Sequence, residues 1–281
     1  MSQKDPVIVW VVGDNTNVGK TTISAALIRA LNEQGIATVG FKPYAGARLI
    51  DVIDLLEYIA DSDGQLVGRD ARKLVQASAL LSNNWLEVVN PSWRVSHPVR
   101  DVSILVRKGS TAIGQRSFLH TRNAGAFWER PDLLKLNAVM KLPLEAIQPI
   151  DDRSADTIDF ADQSVQVASF NLLRTVEPEI IVCEGAGRLL PTWLGAPAVR
   201  HLLFVSFGYL HFFPNIGIEV AHPEGEIEPL TIAAITRKLT GAKRFKTPIP
   251  LSSPSGLDQE MDRFIRPIAS VCAQWRSIHV R

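Results

Sequence analysis

An α/β fold, with a parallel sheet flanked by helices, is predicted by three features of this 281-residue chain. The apolar run at residues 7–12 leads through a glycine-containing turn into the helical pattern Ile23, Ala26, Leu27, Ala30, Leu31. A second apolar run at 36–41 follows Gly35, and strand–helix–strand at this spacing is a βαβ unit with parallel strands. Ile180-Ile181-Val182-Cys183 is continuously apolar, as strands covered by helices on both faces are.

The first turn reads Gly13-Asp14-Asn15-Thr16-Asn17-Val18-Gly19-Lys20-Thr21-Thr22, a complete G-x-x-x-x-G-K-T phosphate loop. Between a strand and a helix, such a loop turns backbone N–H groups and the positive helix end toward phosphate oxygens. Gly13, Asn15, Thr16, Asn17, Val18, Gly19, Lys20, Thr21 and Thr22 are therefore the expected nucleotide contacts. Lys20 would reach the β- and γ-phosphates and the Thr21 hydroxyl would ligate Mg²⁺. The predicted architecture is thus a P-loop NTPase fold binding a nucleoside triphosphate. No N-K-x-D guanine-reading segment occurs, which favours ATP over GTP. Asp14 stands where partition-type and anion-pump ATPases carry a second lysine, which argues against that dimer-sandwich class.

The remaining elements follow in order. Leu49, Val52, Ile53, Leu56 and Ile59 predict a helix, and an acidic loop leads to another helix over 70–81. Pro91 and Pro98 bracket an irregular stretch before a strand at 102–106. Residues 107–153 show no clean periodicity. A helix over 160–176 ends at Pro178, and later strands are expected at 202–207 and 216–220. A helix at 229–239 starts at proline and has Gly241 past its end. Leu257, Met261, Phe264, Ile265, Ile268, Cys272 and Trp275 mark a C-terminal helix, expected to kink or break at Pro267. One domain spanning 1–281, with an extra basic segment at about 107–153, is the simplest organisation.

Composition supports an ordinary globular protein: 46% hydrophobic, 21% charged, net charge +1. Two cysteines cannot build a disulfide framework, which suits a reducing compartment. With no signal-peptide pattern at the start, and no apolar run near the ~20 residues that span a bilayer, the expectation is a cytoplasmic protein without a membrane partner. The histidines include no zinc spacing, and no G-x-S-x-G elbow supports a serine hydrolase.

Two further residues fit phosphoryl chemistry by position. Glu184 ends the 180–183 strand, where a second Mg²⁺ ligand belongs, although it could instead cap a local turn. Gly185, Ala186 and Gly187 after it are small enough for close ligand approach. Lys42 ends the second strand, on the rim where open parallel sheets bind ligands, and could equally be a solvated lysine before a turn.

The segments G-D-N-T-N-V-G-K-T, F-K-P-Y-A-G, G-R-D-A-R-K-L, V-N-P and C-E-G-A-G, in that order, resemble dethiobiotin synthetase. The resemblance covers the chain to about residue 105 and again at 178–187. It implies that Lys20 and Thr21 hold phosphates and metal, and that Asp70 and Glu184 complete the Mg²⁺ shell. Asp70 alone would read as a helix N-cap. The resemblance also implies that Lys42 stabilises the transferring phosphoryl group, that Thr16 faces the substrate, and that the protein is a homodimer. In that family ATP phosphorylates a carbamate made from a diamine and CO₂, and the second amine closes a cyclic urea.

This chain departs from the pattern in its second half. Gly46 replaces a serine, and Arg188 replaces the last glycine of E-G-A-G-G, placing a large cation beside the substrate region. The K-x-G-x-I-N segment and a base-reading asparagine have no counterpart after residue 200; Val205 to Phe213 stand there instead. Thr247-Pro248-Ile249-Pro250 resembles the I-P turn near the adenine. From Trp93 to Lys141, nine Lys/Arg face three acids (Asp101, Glu129, Asp132), with Trp93, Phe118, Phe127 and Trp128 interleaved. That is either a solvated face over a satellite core or a surface for a nucleotide or nucleic acid. The expected function is an ATP- and Mg²⁺-dependent ligase with a small-molecule or anionic acceptor touching Thr16, Lys42, Gly185, Ala186, Gly187 and Arg188. A kinase acting on a hydroxyl of a nucleotide, nucleic acid or metabolite is the alternative, and an ATP-gated binding module a third reading.

Overall fold

Along the chain, the computed structural model gives β1 (Val7–Gly13), α1 (Lys20–Glu33), β2 (Thr38–Phe41), β3 (Tyr44–Arg48), α2 (Arg69–Ala77) and α3 (Leu86–Val89). These are followed by β4 (Ser92–Ser96), β5 (Ser103–Ser110), β6 (Gln115–Thr121), β7 (Ile147–Ile150), α4 (Ser164–Arg174) and β8 (Ile180–Glu184). The last are β9 (Val199–Ser206), β10 (Tyr209–Ile218), β11 (Lys243–Lys246) and α5 (Pro254–Ile278). The structure describes residues 5–15, 18–48, 67–96, 103–121, 147–150, 163–186, 193, 196–218, 242–246 and 254–278. The helices expected at 49–59 and 229–239 lie outside them.

Among the described residues the strands form two sheets. The main sheet has the order β2-β8-β1-β9-β10-β11. Its first four strands are parallel, and β10 and β11 return antiparallel. Strand β8 is buried at every residue, as its unbroken apolar run predicts. Strands β1 and β2 are not neighbours, because β8 lies between them. The strand expected at 216–220 is instead the end of the longer β10, which turns back directly after β9.

Helices α1 and α2 cover one face of the main sheet through apolar stripes. In α2, Ala71, Leu74, Val75 and Ala77 are buried while Arg69, Lys73 and Gln76 are exposed. Gly40 permits this packing, since a Cβ there would stand 2.8 Å from the Cβ of Leu74. Helix α5 packs on α1 with Met261, Ile265, Ile268, Ala269 and Cys272 buried, and Asp262 accepts from Arg29 at 2.7 Å. The expected break at Pro267 does not occur: the helix runs through it, the proline faces solvent, and the buried stripe continues on both sides. Phe41, Phe170 and Trp193 close the other side, with ring centroids 4.7–5.8 Å apart.

The second sheet has the order β3-β4-β5-β6-β7. Residues 115–121 and 147–150 of the aperiodic stretch supply two of its strands. Trp93, Val95 and Val106 are buried in it, apart from the main core. No described helix is long and apolar enough to cross a membrane.

Candidate functional site

Parallel pairing places the ends of β1, β2, β8 and β9 on one rim, and Gly19 opens α1 there as its N-cap. Around the loop, Gly13, Asn15, Val18, Gly19, Lys20, Thr21 and Thr22 occupy the strand–turn–helix arrangement that a phosphate loop requires. Lys20 is buried and donates to the Asn15 carbonyl at 2.5 Å. Burial lowers its pKa, partly opposed by Glu184. Thr16 and Asn17 lie outside the described residues, as do Gly187 and Arg188.

Lys42, also buried, joins two carboxylates. Its Nζ donates to Glu184 Oε1 at 2.6 Å and to Asp70 Oδ2. Burial works against the ammonium charge, but Glu184 and Asp70 outweigh it and raise the pKa. Asp70 is lowered: burial pushes it up, and Lys42 more than reverses that. Glu184 is raised by burial despite Lys42. The Thr21 hydroxyl donates to Glu184 Oε1 at 2.8 Å, so loop, lysine and acid meet at one oxygen. Asp70 is not the N-cap of α2; Gly68 holds that position, and Asp70 lies in the first turn, facing Lys42.

The backbone of Lys42 is held as firmly as its side chain. Its N–H donates to the Val89 carbonyl at 2.8 Å, and its carbonyl accepts from Asn90 Nδ2 at 2.9 Å. Asn90 also donates to the Ser92 carbonyl at 2.9 Å. Arg107 of β5, fully buried, donates to the Asn90, Pro91 and Gly109 carbonyls. The basic segment therefore does not present Arg107 to solvent: its guanidinium is spent on backbone oxygens at this corner. Lys108 and Trp93 are buried too. Arg122, Arg130, Lys135, Lys141, Phe127 and Trp128 lie outside the described residues.

A cleft of about 310 Å³ opens over the cluster, lined by residues including Gly19, Lys20, Thr21, Thr22, Lys42, Asp70, Glu184 and Ala186. Gly185 is buried behind it, its N–H donating to the Val11 carbonyl at 2.9 Å. Two lining residues were not singled out as site residues from the sequence. Lys73 stands one helical turn after Asp70, a spacing that could have signalled it. Gly46, where the resembled pattern has a serine, lines the cleft as well; a Cβ there would meet Arg94 Cγ at 2.9 Å, so the Arg94 stem covers it.

The donor set fits a divalent cation. Glu184 Oε2 is buried without a hydrogen-bond partner among the described residues, beside a hydroxyl and close to a second carboxylate. Hard oxygen donors of this kind suit Mg²⁺, and a cation there would satisfy the orphaned oxygen.

A P-loop nucleotide-binding domain is the class that this fold and this rim define. Residues 9–247 match the family model of the CobQ/CobB/MinD/ParA nucleotide binding domain, and the chain belongs to that family. It is similar to the ATP-dependent dethiobiotin synthetase BioD of Alteromonas mediterranea, at 29% identity over 140 residues, 48% of this chain and 54% of that protein. The ATP-dependent dethiobiotin synthetase BioD 1 of Salmonella typhi is 28% identical over 121 residues, 42% of this chain and 51% of its own. That of Haemophilus influenzae is 56% identical over a 36-residue stretch, 13% of this chain and 15% of its own. The chain thus spans about half the length of the longer-matching relatives. It is a divergent, dethiobiotin synthetase-like P-loop NTPase.

Proposed function

We propose that the protein is an ATP- and Mg²⁺-dependent ligase of the dethiobiotin synthetase type, phosphorylating a carbamate or carboxylate before ring closure or amide formation. The observation that carries this is Lys42, a buried cation kept charged between Asp70 and Glu184 beside Thr21 of the phosphate loop. Thr21, Asp70 and Glu184 would hold Mg²⁺, which neutralises charge on the phosphate oxygens. Lys20 would bind the phosphate chain. Lys42 would present its charge to the γ-phosphoryl group as an acceptor oxygen attacks phosphorus and the bond to ADP breaks. An amine then attacks the activated carbonyl carbon, loses its proton, and the carbon–oxygen bond to phosphate breaks. Asn90 and Arg107 would keep Lys42 in place for that transfer. Resemblance adds a homodimer to the proposal, which sedimentation of the full chain tests.

The deciding experiment supplies ATP, Mg²⁺, bicarbonate and the diamine precursor, follows ADP release, and weighs the product. Bicarbonate-dependent release with a cyclic urea supports the reading, as does amide formation from a carboxylate. Bicarbonate-independent release with a product heavier by one phosphoryl group would make the protein a kinase. ADP release with no product formed from any acceptor would leave an ATP-gated binding module.

A further inference from the structure

We infer that the β9–β10 turn is a stacking platform for the nucleobase, with Phe207 as its main surface and Tyr209 beside it. This rests on residues 13–22 being a triphosphate loop, and it names how the rest of the nucleotide is held.

The argument starts from register. Gly13 pairs with Val205, and the Asp14 N–H donates to the Val205 carbonyl at 3.3 Å, so the end of β9 abuts the loop. Strands rise about 3.3 Å per residue, which carries the chain roughly 7 Å beyond Val205 by Phe207. Gly208 then takes φ 77°, a left-handed conformation that closes the turn, and Tyr209 pairs back onto Ser206. Strand β11 ends on the same rim, Lys246 opposite Tyr209.

Sheet order decides which end of a nucleotide arrives here. Lys42, Glu184 and Asp70 lie on the β2–β8 side of the loop, and the β9–β10 turn lies on the other. The terminal phosphate belongs with Lys42. A phosphate chain bound across the loop at the end of β1 therefore points its nucleoside toward β9 and β10.

The side chains on the turn suit a base. Among the described residues three large hydrophobic side chains are exposed, and two of them, Phe207 at 90% and Tyr209 at 36%, sit on this one turn. Clustering of exposed rings beside a ligand site marks a contact surface rather than scattered surface residues. The Arg244 guanidinium lies 3.9 Å from the Tyr209 ring centroid, fixing that ring and adding a planar cation to the surface. Rings of this kind stack on any base, because every base has a π face, and each such contact is worth about 1–3 kcal/mol by alanine substitution. Stacking here would take over work for which the sequence offers no base-reading asparagine.

The test compares ATP with inorganic tripolyphosphate, which has no base, by titration calorimetry on the full chain. Phe207→Ala should weaken ATP binding about 5- to 150-fold, leave tripolyphosphate binding unchanged, and weaken ATP and GTP by the same factor. Phe207→Trp should restore wild-type affinity. Unchanged ATP affinity in a folded Phe207→Ala protein overturns the platform, as does an equal loss of tripolyphosphate binding. So does a change of oligomeric state with ATP affinity intact, which would make the turn a contact between copies of this chain. Wild-type protein that binds neither ligand would instead defeat the triphosphate-loop reading, so the two failures are distinguishable.

Discussion

Asn90 Nδ2 donates to the Lys42 carbonyl at 2.9 Å, tying a residue of the corner between α3 and β4 to one 48 positions earlier. Arg107 grips the same corner through the Asn90 carbonyl. The second sheet thereby holds the lysine that faces both carboxylates. Arg107→Met should strand several carbonyls and destabilise the fold by about 3 kcal/mol. At a temperature where the variant is folded, kcat should fall while ATP affinity holds. Arg107→Lys should recover part of kcat, which loss of stability alone does not explain; kinetics beside thermal unfolding checks both.

Lys42→Ala should lower kcat on the order of 10²–10³-fold with little change in ATP affinity, because its charge matters most while the phosphoryl group is in transfer. Steady-state kinetics with a separate nucleotide titration measures the split. A loss confined to affinity would make Lys42 a ground-state binder.

Lys20→Ala should abolish triphosphate binding without unfolding the protein. Lys20 is buried and its charge is disfavoured, so alanine removes a desolvated cation and should leave the unliganded fold within about 1 kcal/mol of wild type. Calorimetry with and without ATP separates the two effects.

Gly40→Ala should destabilise the protein by roughly 1–3 kcal/mol. The added methyl would stand 2.8 Å from Leu74 Cβ and 3.0 Å from Ile28 Cδ1, pushing both helices off β2. Denaturant unfolding with an unchanged slope is the expected signature.

Asp70 should account for part of the acid sensitivity. Its folded pKa is lowered below the ordinary 3.8 because Lys42 outweighs burial. The stabilisation is present above the unfolded value and is lost as pH falls through the lower folded one. Lys42 is raised above 10.5, so its contribution is full below that value and is lost as pH rises through the higher one. As pH falls below about 3.8, wild type should therefore lose more stability than Asp70→Asn. Parallel curves for the two proteins would remove Asp70 from that balance.

The phosphate side was legible because its signals are local. Gly19-Lys20-Thr21 and the apolar run before Glu184 each announce a strand end or a helix start within a few residues. Of the second sheet only the strand at 102–106, now β5, was legible, because the other strands pair through register rather than periodicity. Arg107 ends the apolar run Ile104-Leu105-Val106, and only the carbonyls of Asn90, Pro91 and Gly109, gathered by the fold, explain a buried guanidinium there. Likewise Pro267 signals a break in isolation, but packing on α1 on both sides of it keeps α5 continuous.

The position of β8 has a consequence for the timing of assembly. It separates β1 from β2, so the first 41 residues cannot zip into a sheet by themselves. Thr21 must wait for Glu184, 163 positions later, before its hydroxyl has that acceptor. A chain emerging from synthesis thus displays its phosphate loop long before it owns the acid, and closing so long a loop is slow. Nucleotide cannot engage the complete cluster on a nascent or truncated N-terminal half. The cluster is a product of long-range pairing, and its appearance reports that β8 has joined β1 and β2.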